Sequence, residues 1–159
     1  MKSYVLSLFL FLVLFFNPGI LTPAYASGGG GSEPVRYVDS DLDRANRAIK
    51  AKEYDRAISY LNAVVARDAG NAEAHNLLGF SERMRGNLDA AFRHYERALA
   101  IDPKHRGAHE YVGETYLLAG NLPKAEEHLA ILDKLCFITC EQYRDLKAAI
   151  IDYKAKHKH

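Results

Sequence analysis

The sequence lacks an excess of charge of either sign. Its 21 lysines and arginines face 20 aspartates and glutamates, which gives a net charge of +1 with histidine neutral. A protein that binds nucleic acid needs a basic face to neutralise phosphates. We therefore expect no nucleic acid among the partners of this chain.

The sequence also lacks the motifs of common active sites. It contains no nucleophile motif and no paired acid–base cluster. Its glycine run, Gly28–Gly31, is followed by neither a strand nor the Lys-Ser/Thr pair of a phosphate-binding loop. We expect no enzymatic activity and no bound cofactor.

The one long apolar run is too short to cross a membrane. Val5–Phe16 carries no charge and ends at Asn17-Pro18-Gly19, whereas a spanning helix needs about 20 apolar residues. Lys2 lies before the run, and the small residues of Ala24-Tyr25-Ala26 lie after it. These features predict that residues 1–26 are a signal peptide cleaved after Ala26.

Cleavage would leave a periplasmic or secreted protein without an integral membrane anchor. No cysteine lies near the cleavage site, which argues against a lipid anchor. The following residues, 27–37, begin with Ser-Gly-Gly-Gly-Gly-Ser. Such a segment has almost no side chains to bury, so we expect a flexible linker.

From Val38 onward the sequence repeats every 34 residues, in the windows 38–71, 72–105 and 106–139. Small residues recur at the eighth and twentieth positions, and large apolar residues at the twenty-fourth: Ala45, Gly79, Gly113; Ala57, Ala91, Ala125; Leu61, Tyr95, Leu129. Small residues fit where two helices approach closely, and large ones fill the gap between them. Each window is therefore predicted to be a pair of packed helices.

Turn residues separate the two helices of a window. Gly86-Asn87 and Gly120-Asn121 stand at the same positions of the second and third windows. Pro123 suits the first turn of the helix that follows, and Asp102-Pro103 ends the second helix of the second window.

These features resemble the tetratricopeptide repeat family. The second window carries the family's residues most fully, at Leu78, Gly79, Ala91, Tyr95, Ala98 and Pro103. The first window departs most, with Asp41, Arg44 and Ala69 where the family prefers Trp, Leu and Pro. The resemblance implies an all-α fold, an α-solenoid of three helix pairs, and a role in binding other proteins.

The last segment, residues 140–159, is predicted to be a capping helix with a basic tail. Tyr143, Leu146, Ile150 and Tyr153 form one apolar stripe. That stripe would cover the apolar face that the third repeat leaves open.

The resemblance implies a concave face lined by the first helix of each pair. The residues there are Asp39, Leu42, Asn46, Ile49, Lys50, Glu73, Asn76, Phe80, Arg83, Met84, Gly107, Glu110, Glu114, Leu117 and Leu118. From these we predict a partner-binding groove formed by Asn46, Lys50, Asn76, Phe80, Arg83, Glu110 and Glu114. Asparagine amides would bond a peptide backbone, and Phe80 would anchor an apolar side chain. The alternative is a solvated face with Phe80 packed between repeats.

One subtype of the family grips a C-terminal carboxylate with lysines, asparagines and an arginine. At the matching positions this sequence has Leu42, Asn46, Leu77, Gly107 and Tyr111, of which only Asn46 fits. We therefore do not expect a carboxylate clamp.

The histidines recur in two sets, His75 with His109 and His94 with His128. Equivalent positions of adjacent repeats lie about 8–10 Å apart, whereas metal ligands converge at about 2 Å from the ion. We expect packing histidines and no metal site.

The only two cysteines, Cys136 and Cys140, lie at the joint between the third repeat and the cap. Thr139 and Gln142 have the spacing of a capping box, which predicts that the last helix begins at Cys140. Export would bring the pair into an oxidising compartment, which favours a structural disulfide. A redox-active pair and a copper site are the alternatives.

Together these observations predict an exported, non-enzymatic protein that acts as an adaptor or assembly factor, with a protein or peptide segment as its partner. Two alternatives remain. One is a thiol-redox or copper-handling protein that uses Cys136 and Cys140. The other is a self-assembling scaffold.

Overall fold

A computed structural model describes residues 40–157. The predicted signal peptide, the predicted linker, Val38, Asp39 and the last two residues of the basic tail lie outside the described residues. Within residues 40–157 the chain forms seven α-helices and no strand. This confirms the predicted all-α solenoid. None of these helices combines the length and the apolar content that a bilayer crossing requires.

The helices form three successive antiparallel pairs followed by one more helix. Their bounds are α1 (Asp41–Lys50), α2 (Tyr54–Arg67), α3 (Ala72–Met84), α4 (Leu88–Ile101), α5 (Arg106–Leu118), α6 (Leu122–Leu135) and α7 (Glu141–Lys156). Each helix packs on its neighbour in sequence, and α3, α5 and α7 also pack on one another in order. Such nearest-neighbour packing is typical of a solenoid.

Polar side chains fix where the first helix of each pair begins. Ser40 accepts a hydrogen bond from the backbone N–H of Asp43, and Asn71 accepts one from Ala74. His105 does the same through Nδ1, which accepts from the N–H of Ala108 at 3.1 Å. Each bond satisfies a donor that the first helical turn leaves free.

The predicted turns within the second and third pairs are confirmed. Gly86 and Gly120 adopt φ of 85° and 75°, a backbone conformation that costs glycine little. In the first pair the same position is Lys52, with φ of 60°. Repeat one therefore makes the same turn with a residue that is less suited to it.

The core is a series of three clusters along the array. Leu61 and Leu78 join the first and second pairs, Tyr95 and Val112 join the second and third, and Leu132 lies in the cluster shared with α7. Tyr95 lies against Gly79, where an added Cβ would come within 2.5 Å of the ring. This agrees with the expectation that small residues mark close approaches of two helices and large ones fill the gap between them.

Helix α7 covers the end of the array. Leu146 is fully buried and Ile150 nearly so, and both pack with residues of α5 and α6. A Cβ built on Gly113 would lie 2.6 Å from the side chain of Leu146. Gly113 is therefore required for the close approach of α7 to α5.

The predicted capping box at the start of α7 is wrong. The helix begins at Glu141, and its N-cap is Cys140, which makes no side-chain capping bond. The joints after α2 and α4 are closed by Asp68 and Asp102, whose carboxylates accept from backbone N–H groups two residues on. The third joint is one residue longer and has Cys136 in the aspartate's place, so the helix start moves past Thr139.

Candidate functional site

The concave face of the array carries a groove lined by α3, α5 and α7. A pocket of about 460 Å³ lies near the first turns of these helices, and Glu73, Asn76, His105, Glu110 and Tyr111 are among the residues that line it. We call it the polar pocket. A second pocket, of about 560 Å³, lies near the last turns of the same helices. We call it the cap pocket.

The aromatic centre of the groove lies between the two pockets. The ring of Phe80 is 5.1 Å from that of Tyr111 and 6.3 Å from that of Tyr54. The guanidinium of Arg83 lies 5.2 Å from the ring of Phe80 and 5.5 Å from that of Tyr111. Phe80 is half-buried. It therefore packs between repeats, as the alternative interpretation held, and still leaves part of its ring at the surface.

Arg83 and Glu114 form the main ion pair of the groove. Nη1 of Arg83 donates to Oε2 of Glu114 at 2.6 Å, and both side chains are largely covered. The Nε atom of Arg83 is buried and has no hydrogen-bond partner. The pair fixes the guanidinium against the aromatic rings, where cation–π attraction adds to its orientation.

Asn76 brings an unsatisfied acceptor into the groove. Its Nδ2 donates a 3.3 Å bond to Oε2 of Glu73, but its Oδ1 is buried and has no partner. The residue is only 3% exposed. Buried polar atoms almost always have a partner, so Oδ1 of Asn76 and Nε of Arg83 are two exceptions that lie together in the groove.

Glu110 is the other predicted groove residue that the fold buries, at 8% exposure. Its loss of contact with water, and then the nearby charge of Glu114, raise its pKa to about 8. Asp145 and Glu141 of α7 act in the same direction, while Arg83 opposes them. The carboxyl group is therefore protonated at neutral pH, and it offers a neutral O–H where the sequence indicates a negative charge.

The first repeat contributes less to the groove than the second and third. Asn46 is partly buried and Lys50 is exposed, both on α1, and neither lines one of the two pockets described above. The structure thus brings together Asn76, Phe80, Arg83, Glu110 and Glu114, and leaves Asn46 and Lys50 at the edge of this group.

Most residues of the polar pocket did not appear among the predicted groove residues, and His105 and Tyr111 are two of them with specific contacts. Nε2 of His105 lies 3.0 Å from Oε2 of Glu73, and this carboxylate is the main cause of a raised pKa at His105. Tyr111 completes the aromatic centre. Tyr111 could have been predicted to line the groove, because it lies three residues before the predicted groove residue Glu114 and therefore on the same face of the same helix.

The histidines pair within a repeat, across its two helices. The Nδ1 atoms of His75 and His94 lie 3.4 Å apart, and those of His109 and His128 lie 2.9 Å apart. Nε2 of His109 donates to the carbonyl oxygen of Pro103 at 3.0 Å. When the His109 ring carries a single proton, that bond leaves its Nδ1 as an acceptor for His128.

The sulfur atoms of Cys136 and Cys140 lie 2.01 Å apart, at disulfide distance, with their Cα atoms 5.7 Å apart. Within residues 40–157, no three side chains of histidine, cysteine, aspartate or glutamate converge as a metal site would require. Neither the cysteines nor the histidine pairs thus have a third ligand in the described part of the chain.

Comparison with protein families supports the same architecture. Two family models, each described as tetratricopeptide repeat, match residues 42–106 and 83–150. A curated protein described as the DnaJ protein P58IPK homolog, from Arabidopsis thaliana, is 31% identical over 110 residues. That match takes in 69% of this chain and 22% of the relative, so the chain spans about a fifth of its length.

Solved structures with a similar fold include a secretion chaperone and a human domain. The Yersinia enterocolitica type III secretion chaperone SycD, in complex with a peptide of the translocator YopD, matches with a TM-score of 0.66 and 20% identity over 76% of this chain and 94% of the other. The second repeat domain of human RPAP3, in complex with the HSP70 peptide SGPTIEEVD, matches with a TM-score of 0.61 and 21% identity over 69% and 92%.

Proposed function

The chain belongs, over residues 42–150, to the tetratricopeptide repeat family, and on that premise we propose that it is an exported adaptor or assembly factor that binds an extended segment of a partner protein in its groove. The fold supports a protein-interaction module. Three points go beyond the fold and form the proposal: the ligand is an extended segment, the groove residues bind it, and the protein is exported.

The observation that carries the proposal is the unpartnered Oδ1 atom of Asn76. A backbone N–H of an extended ligand is the donor that would satisfy it. Asn76 lines the polar pocket, where its Nδ2 donates to Glu73 and Glu73 in turn lies 3.0 Å from Nε2 of His105. A ligand N–H that reaches Oδ1 while Nδ2 keeps its bond would satisfy a buried group, and the lack of such a partner normally costs about 1–3 kcal/mol.

The aromatic centre would supply the apolar anchor. Phe80 and Tyr111 lie beside the polar pocket, and Arg83 holds their faces in place. An aliphatic or aromatic side chain of the ligand would pack against the open part of the Phe80 ring. Buried aromatic anchors of this kind contribute most of the binding energy in many interfaces.

Two structural relatives support the choice of ligand class. SycD and the RPAP3 domain were each solved with a peptide of another protein. Their identities to this chain are near 20%, so they bear on the fold and leave the partner of this protein open. The sequence at Leu42, Leu77 and Gly107 lacks the charged and amide residues of a carboxylate clamp, so we propose an internal segment and not a free C-terminus.

The export part of the proposal is tested separately from the groove. We expect protein recovered from the cell envelope of an exporting bacterium to begin at Ser27 when its N-terminus is sequenced. An intact Met1 on protein that is found only in the cytoplasm would contradict export, and it would leave the groove proposal untouched.

The groove is tested with random dodecapeptides displayed on phage and selected on the wild-type protein. Peptides that bind it are then measured by fluorescence anisotropy against Asn76→Leu and Phe80→Ser. We expect each substitution to weaken binding at least about tenfold, which is about 1.4 kcal/mol. Arg93→Ser, on the exposed side of α4, is the matched control and should leave binding unchanged.

Equal binding of all selected peptides by the wild type and by both groove variants would overturn the proposal. Circular dichroism of each variant checks that its helices are intact, so that lost binding is not mistaken for lost folding.

A further inference from the structure

The joint between α6 and α7 presents two large apolar side chains to solvent. Phe137 is 102% exposed and Ile138 is 81% exposed. They lie between Cys136 and Cys140, whose sulfurs are at disulfide distance. We call these two residues the tip. The joints after α2 and α4 have Ala69-Gly70 and Pro103-Lys104 at the corresponding place, so the tip is peculiar to the third joint.

The cap pocket is the apolar counterpart of the tip on the same molecule. It is lined by Leu117, Leu118, Ala149 and Tyr153 together with charged residues at its rim. Leu118 is 63% exposed. Its volume of about 560 Å³ lies within the range of about 300–1,000 Å³ that is usual for ligand pockets.

The tip cannot enter the cap pocket of its own chain. It precedes the first residue of α7, whereas the pocket lies against the C-terminal half of that helix, from Ala149 onward. With a rise of about 1.5 Å per residue, at least about 12 Å of helix separates them. A five-residue loop closed by a disulfide has no slack to cover that distance, so a contact between tip and pocket has to be made between two molecules.

The charges at the rim favour an uncharged occupant. Arg83 is paired with Glu114 at 2.6 Å, and Lys156 with Asp152 at 2.6 Å. An occupant with a charge of its own would have to compete with these pairs. The segment Leu135–Cys140 carries no charge at all, so it would enter the pocket without leaving a rim charge unpaired.

We propose that the tip of one molecule docks into the cap pocket of a second copy of this chain. The contact is head to tail, so each molecule keeps a free tip or a free pocket, and association continues beyond the dimer. A phenylalanine buries roughly 150–250 Å², so the whole contact is well below the roughly 1,200 Å² of stable interfaces. The association is therefore weak and appears only at high protein concentration. It does not depend on the proposed peptide ligand.

Sedimentation equilibrium of the disulfide-bonded protein, purified from an oxidising compartment, tests this from about 10 µM to about 1 mM, because dissociation constants in this range correspond to the small free energies of weak contacts. The tip variant is Phe137→Ser with Ile138→Ser, and the pocket variant is Leu118→Asp. We expect the average mass of the wild type to rise with concentration while each variant stays monomeric. Ile151→Asp changes an equally exposed apolar residue, outside both features, to an acid, and should associate like the wild type.

Mixing the two variants gives the sharper result. The tip variant keeps an intact pocket and the pocket variant keeps an intact tip, so an equimolar mixture should form a dimer and nothing larger. The proposal is overturned if the wild type stays monomeric throughout, or if the mixture does not associate. It is equally overturned if only the tip variant loses association, which would indicate a contact between two tips. Binding of the monomeric wild type to phosphatidylglycerol vesicles, lost in the tip variant, would assign the tip to a membrane instead.

Discussion

The Nδ1 atoms of His109 and His128 lie 2.9 Å apart, between the two helices of the third repeat. Nε2 of His109 donates to the carbonyl oxygen of Pro103, so when that ring carries a single proton, the proton between the two Nδ1 atoms comes from His128. The second repeat has the same arrangement in a looser form, with His75 and His94 at 3.4 Å.

The histidine pair should make stability fall in acid. Burial, and then the neighbouring His109, lower the pKa of His128 from 6.5 to about 4. Of the charged groups around it, Glu127 acts to raise this pKa and Lys124 to lower it. The unfolded chain takes up its proton near pH 6.5, whereas the folded protein resists protonation until about pH 4. The stabilising contribution is thus present above pH 6.5 and is lost as the pH falls from 6.5 toward 4.

Urea unfolding at pH 7.0 and pH 4.5 measures this contribution. We expect the wild type to lose about 1–2 kcal/mol more than His128→Gln over this range. The raised pKa of His105, caused first by Glu73, acts in the opposite direction, but it is common to both proteins and drops out of the difference. His157→Gln, at the exposed end of α7, is the control. An equal loss in the wild type and His128→Gln would refute the role of the pair.

Glu110 should destabilise the protein at neutral pH. Its pKa is raised to about 8, first by burial and then by Glu114, so the folded protein holds a proton that the unfolded chain releases near pH 4.5. Stability is lost as the pH rises from 4.5 to 8. We expect Glu110→Gln, which resembles the protonated acid, to raise the free energy of unfolding by about 1–3 kcal/mol at pH 7.5. The gain should vanish near pH 4.5, and a gain of equal size at both values would assign the effect to packing.

Gly113 should tolerate no side chain. An added methyl group would lie 2.6 Å from Leu146, which is fully buried beneath α7. We expect Gly113→Ala to lower the free energy of unfolding by about 1–3 kcal/mol through overpacking. Gly107→Ala, on the same helix, meets the end of the Asn76 side chain at 3.3 Å and the ring of His105 at 3.5 Å, and should change stability by less than about 1 kcal/mol. Thermal unfolding of the two variants side by side distinguishes the packing cost from the helix propensity of alanine.

The cysteine pair should stabilise the protein by a modest amount. Closure of so short a loop reduces the entropy of the unfolded chain and contributes about 2 kcal/mol in the chain-entropy model. We expect Cys136→Ser with Cys140→Ser to lose that amount, and reduction with dithiothreitol to lower the wild type to the level of the variant. Mass spectrometry of protein produced in an oxidising compartment should show the mass of the disulfide form. Two free thiols in that material would contradict the pairing.

The architecture could be predicted from the sequence because its signals are repeated. A glycine or alanine at the eighth position and an alanine at the twentieth occur in each window, so no single residue has to decide the interpretation. Gly86 and Gly120 likewise identify their turns through the backbone conformation that they alone adopt easily. These signals are local, and a solenoid is built from local contacts.

The details of the site could not be predicted because they depend on partners that are distant in the sequence. The sequence alone does not show that Arg83 forms an ion pair with Glu114. It also does not show that Glu110 is buried in the folded protein. The contact between His109 and His128 was missed because equivalent positions of adjacent repeats were compared, and not the two helices of one repeat. The start of α7 was predicted one residue too early because Thr139 and Gln142 have the spacing of a capping box. The sequence does not show that this joint is one residue longer than the others.

The longer third joint delays the start of the last helix by one residue. Helices α3, α5 and α7 begin at residues 72, 106 and 141, so the interval from α5 to α7 is one residue longer than that from α3 to α5. At the 34-residue spacing, Leu146 corresponds to the buried Leu78 and Val112 and is itself buried, whereas the exposed Lys147 corresponds to Gly79 and Gly113. The glycine that lets α7 approach α5 closely therefore has no counterpart on α7 itself, and a further helix pair could not pack on the cap as the cap packs on the array.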